Sequence, residues 1–274
     1  MILETTDSPL DDIEFLARSE HRVVTLAALA RRPQTRADLV SMTGVSQSTI
    51  GRTLRAFDER HWINREGRYY EATQLGAFVA AGVQELIDRL ETEHHLRDVW
   101  QWLPSETSGF TVEMMADAVV TVAESDDPYG PVNRFKSLLR ETNRFRFIGF
   151  DLALLEPCID DLRQRIIDGM HAEVIDPPSV VDHIRSTHPE QFAEALESGN
   201  LTVWMYDDLP PYGVGLFDDR TVISGYDPTN GTVRALIDTD APAAREWAES
   251  VYETYQREVP TIAIETDREL PRMP

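Results

Sequence analysis

The chain has 274 residues, comfortable for two domains, and a formal net charge of −22 from 48 acidic and 26 basic residues. Its one cysteine, Cys158, excludes an intramolecular disulfide and a four-cysteine zinc site. No apolar run approaches the roughly 20 residues that cross a bilayer, and the acidic start MILETTDSPLDDIEF is unlike a signal peptide, so we expect a soluble, cytoplasmic protein with no membrane partner.

The first predicted element is a helix over residues 11 to 31. Ile13 and Leu16 begin an apolar stripe at helical spacing, and Pro33 follows just beyond the predicted end. This helix belongs to a predicted DNA-binding domain of residues 1 to 72.

Residues 35 to 62 are predicted to form two short helices joined by a turn. Thr35 can cap the first helix together with Asp38, because a hydroxyl and a carboxylate at this spacing satisfy free backbone amides. Gly44 ends that helix, since glycine enters the left-handed conformation without steric cost. Ser46 is a good N-cap for the second helix. This layout is typical of a helix-turn-helix.

The second of these helices has two different faces. Ile50, Leu54 and Phe57 share one face at helical spacing and are expected to pack. The opposite face is polar and can reach a DNA groove; it carries Ser48, Arg52 and Arg55, with Gln47 and Thr49 near the first turn.

A hairpin is predicted to follow over residues 64 to 70. Gly67 lies at its centre, and Arg65 and Arg68 flank the turn in a way that suits a phosphate backbone. A helix-turn-helix followed by such a hairpin is the layout of a winged helix-turn-helix, which predicts binding to double-stranded DNA. The candidate DNA-binding residues are Arg36, Ser46, Gln47, Ser48, Thr49, Arg52, Arg55, Arg65 and Arg68. The alternative is a small structural domain with a solvated basic face.

The distribution of charge fits a DNA-binding first domain. Residues 18 to 70 hold ten arginines and five acidic residues, whereas the chain as a whole is strongly acidic. Lys136 is the only lysine, so 26 − 1 leaves 25 arginines. An acidic, lysine-poor surface is typical of proteins from salt-saturated cytoplasm and indicates a halophilic archaeon. A GC-rich genome could account for the arginines but not for the excess of acids.

Two segments carry a family resemblance. The helix-turn-helix region resembles the N-terminal domain of archaeal winged-helix regulators, and DDPYGPVNRFKSLL at residues 126 to 139 resembles the opening of the methanogenesis-regulatory middle domain of that family. The likeness covers roughly residues 11 to 259. It implies a sensory or dimerising second domain, and it names no ligand.

A long helix is predicted over residues 73 to 103, where apolar residues recur at three- and four-residue steps. It has more apolar surface than a small winged domain covers, so we expect it to form a dimer and to connect the two domains. The alternative is that it packs on its own second domain. His94 and His95 lie in this helix, but adjacent histidines point about 100° apart, which favours an exposed pair over a metal site.

The second domain is predicted over residues 110 to 260, after a polar linker, with a tail over residues 261 to 274. Strands and helices alternate at first, which favours a mainly parallel sheet. The predicted strands are 144 to 150, 172 to 175 and 201 to 206, and the helices are 157 to 170 and 180 to 198. Hairpin strands then follow at 212 to 217, 221 to 226 and 232 to 237, with a turn at Asn230 and Gly231 and a final helix over 242 to 259.

The predicted fold class is therefore a two-domain α+β or α/β protein. It has an N-terminal winged helix-turn-helix, a long connecting helix and a C-terminal mixed sheet flanked by helices. The sequence has no phosphate-binding glycine loop, no serine elbow and no paired-histidine zinc motif, so it offers no support for catalysis, and we expect no cofactor and no metal.

Carboxylates follow three of the predicted strands. Ligands of open sheets bind beyond the carboxyl ends of the strands, so these tips and nearby aromatic residues are candidates for an effector pocket. The candidates are Asp151, Asp176, Trp204, Tyr206, Asp207, Tyr212 and Tyr226. The alternative is that each aspartate caps the next helix or makes a turn.

The leading hypothesis is a homodimeric, sequence-specific transcription regulator, modulated through its second domain by an unknown small molecule. An enzyme with an appended DNA-binding domain is the alternative. A third possibility is an adaptor whose winged domain binds protein.

Overall fold

The structure is a computed structural model that describes residues 8–104, 109–149, 151–227, 229 and 231–258. The chain divides into two compact units, one up to Glu91 and one from Thr92 onward, and both contain helix and sheet. Within the described ranges, no helix is long and apolar enough to cross a membrane.

Parts of several sequence predictions lie outside the described residues. They are residues 1 to 7 of the first domain, residues 105 to 108 of the linker, Phe150 at the end of a strand, Asn230 in a hairpin turn, residue 259 at the end of the final helix, and the tail over residues 261 to 274.

The first unit contains four helices, the start of a fifth and a small sheet. The helices are Pro9–Ala17 (α1), Glu20–Arg31 (α2), Arg36–Thr43 (α3), Gln47–Glu59 (α4) and Gln74–Leu96 (α5). The sheet is antiparallel, in the order β1-β3-β2, and its strands are Gln34–Thr35 (β1), Ile63–Glu66 (β2) and Tyr69–Ala72 (β3).

The predicted ends of α3 and α4 are confirmed. The Thr35 hydroxyl accepts a hydrogen bond from the Asp38 amide at 3.3 Å, and the Asp38 carboxylate accepts one from the Thr35 amide at 2.9 Å. Gly44 ends α3 with a φ of +69°. The Ser46 side chain accepts a hydrogen bond from the Thr49 amide at the start of α4. These local contacts fix the turn between the two helices.

The prediction of one helix over residues 11 to 31 is wrong, because α1 and α2 are separated near Ser19, whose φ is −160°. The ring of Phe15 lies between two guanidinium groups, 4.3 Å from that of Arg22 and 4.1 Å from that of Arg60. Seven residues of straight helix would separate the Cα atoms of Phe15 and Arg22 by about 10.5 Å. The break at Ser19 therefore allows Arg22 to cover the ring.

The long helix is shorter than predicted. Helix α5 ends at Leu96, and a separate 3-10 turn, Trp100–Trp102, replaces its predicted last part. Leu96 and Val99 are 2% and 0% exposed in the core of the second unit. Burial of these two side chains in a core accounts for the early end of the helix.

The second unit contains a seven-stranded sheet. Its strands are Val119–Val122 (β4), Arg144–Ile148 (β5), His171–Asp176 (β6), Leu201–Met205 (β7), Tyr212–Phe217 (β8), Arg220–Tyr226 (β9) and Val233–Thr239 (β10). Its helices are Gly130–Glu141 (α6), Leu152–Leu155 (α7), Ile159–Ile167 (α8), Pro178–Thr187 (α9), Pro189–Glu197 (α10) and Pro242–Glu258 (α11).

The sheet is mixed, in the order β4-β10-β9-β8-β5-β6-β7. Only the pairs β5–β6 and β6–β7 are parallel; the other four pairs are antiparallel. The strands of the predicted alternating part, β5, β6 and β7, are parallel to one another, and the predicted hairpins are antiparallel, so the predicted mixed sheet is confirmed. Strand β5 joins the two parts, because it pairs with β8 from the hairpin region on its other side.

Two predicted helices of this unit are each divided. The helix predicted over residues 157 to 170 is α8, preceded by the 3-10 turn Glu156–Cys158. The helix predicted over residues 180 to 198 is α9 and α10, which meet at His188 and Pro189. A proline has no amide hydrogen and favours the first turn of a helix, so Pro189 begins α10.

Both faces of the sheet are buried. On one face, Phe135 of α6 packs edge-on against Phe145, Phe147 and Phe217 at centroid distances of 5.3 to 6.1 Å, beneath α6 to α10. On the other face, α11 packs through residues that include Trp247. Adjacent residues of a strand point to opposite faces, so strands such as β5 contribute to both cores.

Candidate nucleic-acid interface

An open cleft on the first unit lies between α4 and the β2–β3 hairpin. It brings together six of the nine predicted DNA-binding residues: Arg36, Gln47, Ser48, Arg52, Arg55 and Arg65. The other three, Ser46, Thr49 and Arg68, do not line it. Residues that sequence reasoning missed complete the lining: Gly51, Leu54, Asp58, Ile63 and Tyr70.

The polar face of helix α4 lines the cleft because the helix is strongly amphipathic. Ile50, Leu54 and Phe57 are at most 2% exposed in the core of the first unit. The side chains of Arg52 and Arg55 lie on the exposed side of the helix. One face of α4 therefore packs, as the sequence predicts, and the other faces solvent.

The first turn of α4 holds a small hydroxyl cluster. The Ser46 Oγ lies 2.9 Å from the Ser48 Oγ and 3.0 Å from the Thr49 Oγ1, and it also caps the helix. Ser46 and Thr49 are thus engaged in capping. Gln47 and Ser48 are exposed at the amino end of the helix, where backbone amides and the helix dipole favour a phosphate.

The arginines of this face form no ion pair with a carboxylate among the described residues. Within the described part of the chain, no ion pair involves Arg36, Arg52, Arg55, Arg65 or Arg68. Elsewhere in the same unit, Arg18 pairs with Glu14 at 2.6 Å and Arg60 pairs with Asp12 at 2.7 Å. In a chain with a net charge of −22, this face keeps its positive charge available to an external anion.

Short contacts orient several of these guanidinium groups. Arg55 Nε donates to the Gly51 carbonyl at 3.3 Å, and Arg65 Nε donates to the Gly67 carbonyl at 3.0 Å. Arg36 Nη2 donates to the Tyr70 hydroxyl at 3.4 Å. Because backbone carbonyls and a phenol are neutral acceptors, these contacts position the arginines without cancelling their charge.

Arg68 and Tyr69 occupy the tip of the hairpin. Arg68 Nη2 donates to the Tyr69 hydroxyl at 3.0 Å, and this hydrogen bond is the main cause that raises the pKa of Arg68. Both residues are exposed, and Gly67 makes the turn with a φ of +59°. The tip therefore offers a fixed positive charge beside an aromatic ring.

Gly51 gives Arg36 room within the cleft. A Cβ atom on Gly51 would lie 3.7 Å from the Arg36 guanidinium carbon, which is ordinary contact. A larger side chain at position 51 would occupy the space of that group.

The predicted strand-tip residues of the second unit lie in different surroundings. Asp151 caps α7, since its carboxylate accepts a hydrogen bond from the Ala153 amide at 2.9 Å. This contact fits the alternative reading of the sequence, in which the aspartate caps the next helix. Tyr226 lies near Asp151: its hydroxyl is 3.4 Å from the Asp151 amide and 2.7 Å from the Ser224 hydroxyl. Burial raises the pKa of Tyr226.

The remaining candidates are divided between the two faces of the sheet. Asp176 is 3% exposed and lines a cavity on the face beneath α8 to α10. Trp204, Tyr206 and Tyr212 pack on the opposite face, with α11. Asp207 is exposed in the loop after β7. The structure thus brings Asp151 and Tyr226 together and separates the three aromatic residues from Asp176.

Among the described residues, no group of three or more histidine, cysteine, aspartate and glutamate side chains is arranged to hold a metal ion. His94 is exposed and lies 3.7 Å from Glu93, and His95 Nε2 lies 2.6 Å from the Ala118 carbonyl oxygen.

Solved structures with low-identity likeness to this chain include the following three. TrmBL2, described as an archaeal chromatin protein, is 13% identical, with a TM-score of 0.41 over 93% of this chain and 100% of that chain. ZitR from Lactococcus lactis is 15% identical, with a TM-score of 0.25 over 35% of this chain and 78% of that one. The adhesin competence repressor AdcR from Streptococcus pyogenes is 17% identical, with a TM-score of 0.26 over the same shares.

Two domain families match the chain. The family described as "Methanogenesis regulatory protein FilR1, middle domain" matches residues 128–258, and "HVO_A0261 N-terminal domain" matches residues 10–95. A comparison with curated proteins found no match. The matched segments correspond to the resemblances seen in the two sequence motifs. The chain belongs to the archaeal helix-turn-helix regulators that combine an HVO_A0261-type N-terminal domain with a FilR1-type middle domain.

Proposed function

We propose that this regulator is a homodimeric, sequence-specific DNA-binding protein whose first unit acts as a winged helix-turn-helix. The observation that carries the proposal is a set of arginines around α4 and the hairpin that form no ion pair among the described residues, in a chain with a net charge of −22. Phosphates and guanine edges are the ligands that such a set of guanidinium groups prefers.

In this proposal α4 enters the major groove. Arg52 and Arg55 contact base edges, since an arginine can donate two hydrogen bonds to O6 and N7 of guanine. Arg65 and Arg68 of the hairpin hold the phosphate backbone, and Arg36 supports them from the start of α3. Gln47 and Ser48 contact DNA at the amino end of α4.

The dimer is proposed from an exposed apolar stripe on α5. Leu75, Phe78, Leu86 and Leu90 are spaced by three, eight and four residues, and they are 62%, 79%, 48% and 48% exposed. Exposed apolar patches of this kind mark interaction surfaces. A second copy of the same helix would cover the stripe and give the two-fold symmetry that paired DNA half-sites require.

Modulation of DNA binding is assigned to the second unit. Its sheet has helices on both faces, and its strand ends carry Asp151, Asp176 and Asp207. We retain a small-molecule effector as the proposed signal. The capping role of Asp151 and the separation of the aromatic residues favour a site other than a single pocket at the strand tips.

The test begins with selection of a preferred site from random duplex DNA by the full chain. Arg52→Ala and Arg55→Ala should then weaken binding to that site by about 1 to 3 kcal/mol each. Arg18→Ala is the matched control, because Arg18 is exposed and paired with Glu14 outside the cleft. Circular dichroism checks folding. Unchanged affinity in both cleft variants, with folding intact, would remove α4 as the reading element.

A further inference from the structure

A small cavity lies on one face of the second unit's sheet, between β6, β7 and the helices α8, α9 and α10. Its volume is about 60 Å³. The lining is almost entirely apolar and includes Ile166, Val174, Ile184, Phe192 and Val203. Phe192 is only half-buried, so it offers a route by which a small molecule can enter.

Two charged side chains also reach this lining, and one of them has an unused donor. The Nε of Arg163 is buried and has no hydrogen-bond partner among the described residues. The same guanidinium donates from Nη1 to Glu194 at 2.6 Å. A buried donor without an acceptor is unfavourable, so an acceptor atom brought into the cavity would gain the hydrogen bond that Nε lacks.

The charges around the cavity select a neutral ligand. The charge of Arg163 is offset by its ion pair with Glu194. Any charged ligand would lose its hydration in this mainly apolar lining, which is costly. A cation would in addition meet the guanidinium of Arg163. A neutral molecule avoids both costs.

The volume limits the size of the ligand. An apolar protein cavity of about 150 Å³ binds benzene and stays free of water. A cavity of about 60 Å³ suits a smaller molecule of roughly four or five non-hydrogen atoms. We infer that the cavity between α8, α9, α10 and the sheet binds a small, neutral, mainly apolar molecule whose single acceptor oxygen faces Arg163.

This inference rests on the proposed function only in the claim that ligand binding would modulate DNA binding. The binding site belongs wholly to the second unit and can be tested without DNA. A failure of ligand binding would leave the DNA-binding proposal intact, and a failure of DNA binding would leave the cavity proposal intact.

The probe is 2-butanone, a neutral four-carbon ketone with one acceptor, added to the full chain labelled at its Ile, Leu and Val methyl groups. Methyl resonances of Ile166, Val174 and Val203 should shift and saturate at millimolar concentrations, which five non-hydrogen atoms can achieve. Methyl groups of Val214 and Ile237, in the core on the other face of the sheet, should not shift.

Two variants test the position and the chemistry of the site. Ala195→Val adds two carbon atoms to the lining and should abolish the saturable shifts. Ala81→Val makes the same substitution on the exposed surface of α5 and should leave the saturable shifts unchanged. Arg163→Lys keeps the charge beside Glu194 but removes the Nε donor, so 2-butanone should bind about three- to tenfold more weakly.

Several results would overturn the inference. They are shifts that grow linearly without saturation, equal shifts on both faces of the sheet, or undiminished binding by a folded Ala195→Val variant. If Ala195→Val does not fold, Val203→Ile replaces it as the filling variant, with the same required loss. Equal affinity in Arg163→Lys would contradict the acceptor assigned to Nε.

Discussion

Gly76 and Trp62 approach so closely that a Cβ atom on Gly76 would lie 1.9 Å from the Trp62 carbonyl oxygen. That carbonyl also accepts a hydrogen bond from the Thr73 amide at 2.9 Å. The Thr73 hydroxyl donates to the His61 carbonyl at 2.7 Å. The first turn of α5 is therefore seated directly on the backbone that joins α4 to β2.

Gly76→Ala should destabilise the first unit by about 3 kcal/mol or more, because the neighbour in the way is backbone and cannot rotate aside. Gly51→Ala is the matched control. Its Cβ would make ordinary contact at 3.7 Å, and alanine in a helix interior is more favourable than glycine by about 0.5 to 1 kcal/mol. Denaturant unfolding monitored by circular dichroism gives both values. Equal stability of the two variants would contradict the close approach.

The exposed stripe of α5 leads to a prediction about assembly. Phe78→Glu and Leu86→Glu should convert a dimer to a monomer, because a charge in an apolar interface loses its hydration without gaining a partner. Gln84→Glu is the control, since Gln84 is exposed and lies about 120° around the helix from Phe78 and about 160° from Leu86. Analytical sedimentation in high salt measures whether each variant is a dimer or a monomer. A wild-type chain that is monomeric at micromolar concentration would also argue against this interface.

Binding to DNA should survive from low to molar potassium chloride. At molar ionic strength the Debye length is about 3 Å, so long-range attraction to phosphates is largely lost. Repulsion between DNA and a chain of net charge −22 is screened in the same way. Contacts from Arg52, Arg55 and the hairpin act at short range and should remain.

Fluorescence anisotropy with the selected duplex, measured across that salt range, tests this expectation. Circular dichroism must show the same fold at both ends. A steep, continuous fall in affinity by a folded protein would identify an ordinary electrostatic binder.

Cys158 should be inert in the folded protein. It is 0% exposed, and burial raises the pKa of its thiol to about 12. At pH 8 about one thiol in ten thousand would then be ionised, and the thiolate is the reactive form. Because the unfolded thiol ionises at a lower pH, this group should also lower stability as pH rises above its ordinary pKa.

Alkylation by iodoacetamide, followed by mass spectrometry, measures the reactivity of Cys158. Reaction should accelerate only at denaturant concentrations that unfold the second unit. Rapid alkylation of the native chain would contradict the burial of this side chain.

Local signals made much of the first unit predictable. Thr35, Asp38, Gly44 and Ser46 act on backbone groups within a few residues, so sequence spacing is sufficient to place them. The break at Ser19 was not predictable in the same way. The ring of Phe15 there lies against Arg60 as well as Arg22, and a contact with a residue so distant in the sequence leaves no local signal.

In the second unit, the sequence pattern identified six of the seven strands of the sheet and missed Val119–Val122. It did not show which residues of neighbouring strands lie opposite each other. The parallel pairing of β6 and β7 places Ile175 opposite Trp204, so Trp204 shares the face of Ile175 and not that of Asp176. This register is set by tertiary packing. The sequence analysis grouped carboxylates and aromatic residues because they lie at strand ends. Position at a strand end does not show which face of the sheet a side chain occupies.

The order of strands in the second unit has a consequence for synthesis of the chain. Strand β4 comes first in this sheet, yet its neighbour in the sheet order is β10, whose residue Asp238 pairs with Val119. The sheet cannot be completed until the ribosome has passed Thr239, whereas the first unit ends at Glu91. At 5 to 20 residues per second, roughly 7 to 30 seconds separate the two events. During that interval the arginine-bearing first unit of a nascent chain is complete, whereas the second unit, which is proposed to regulate it, is not.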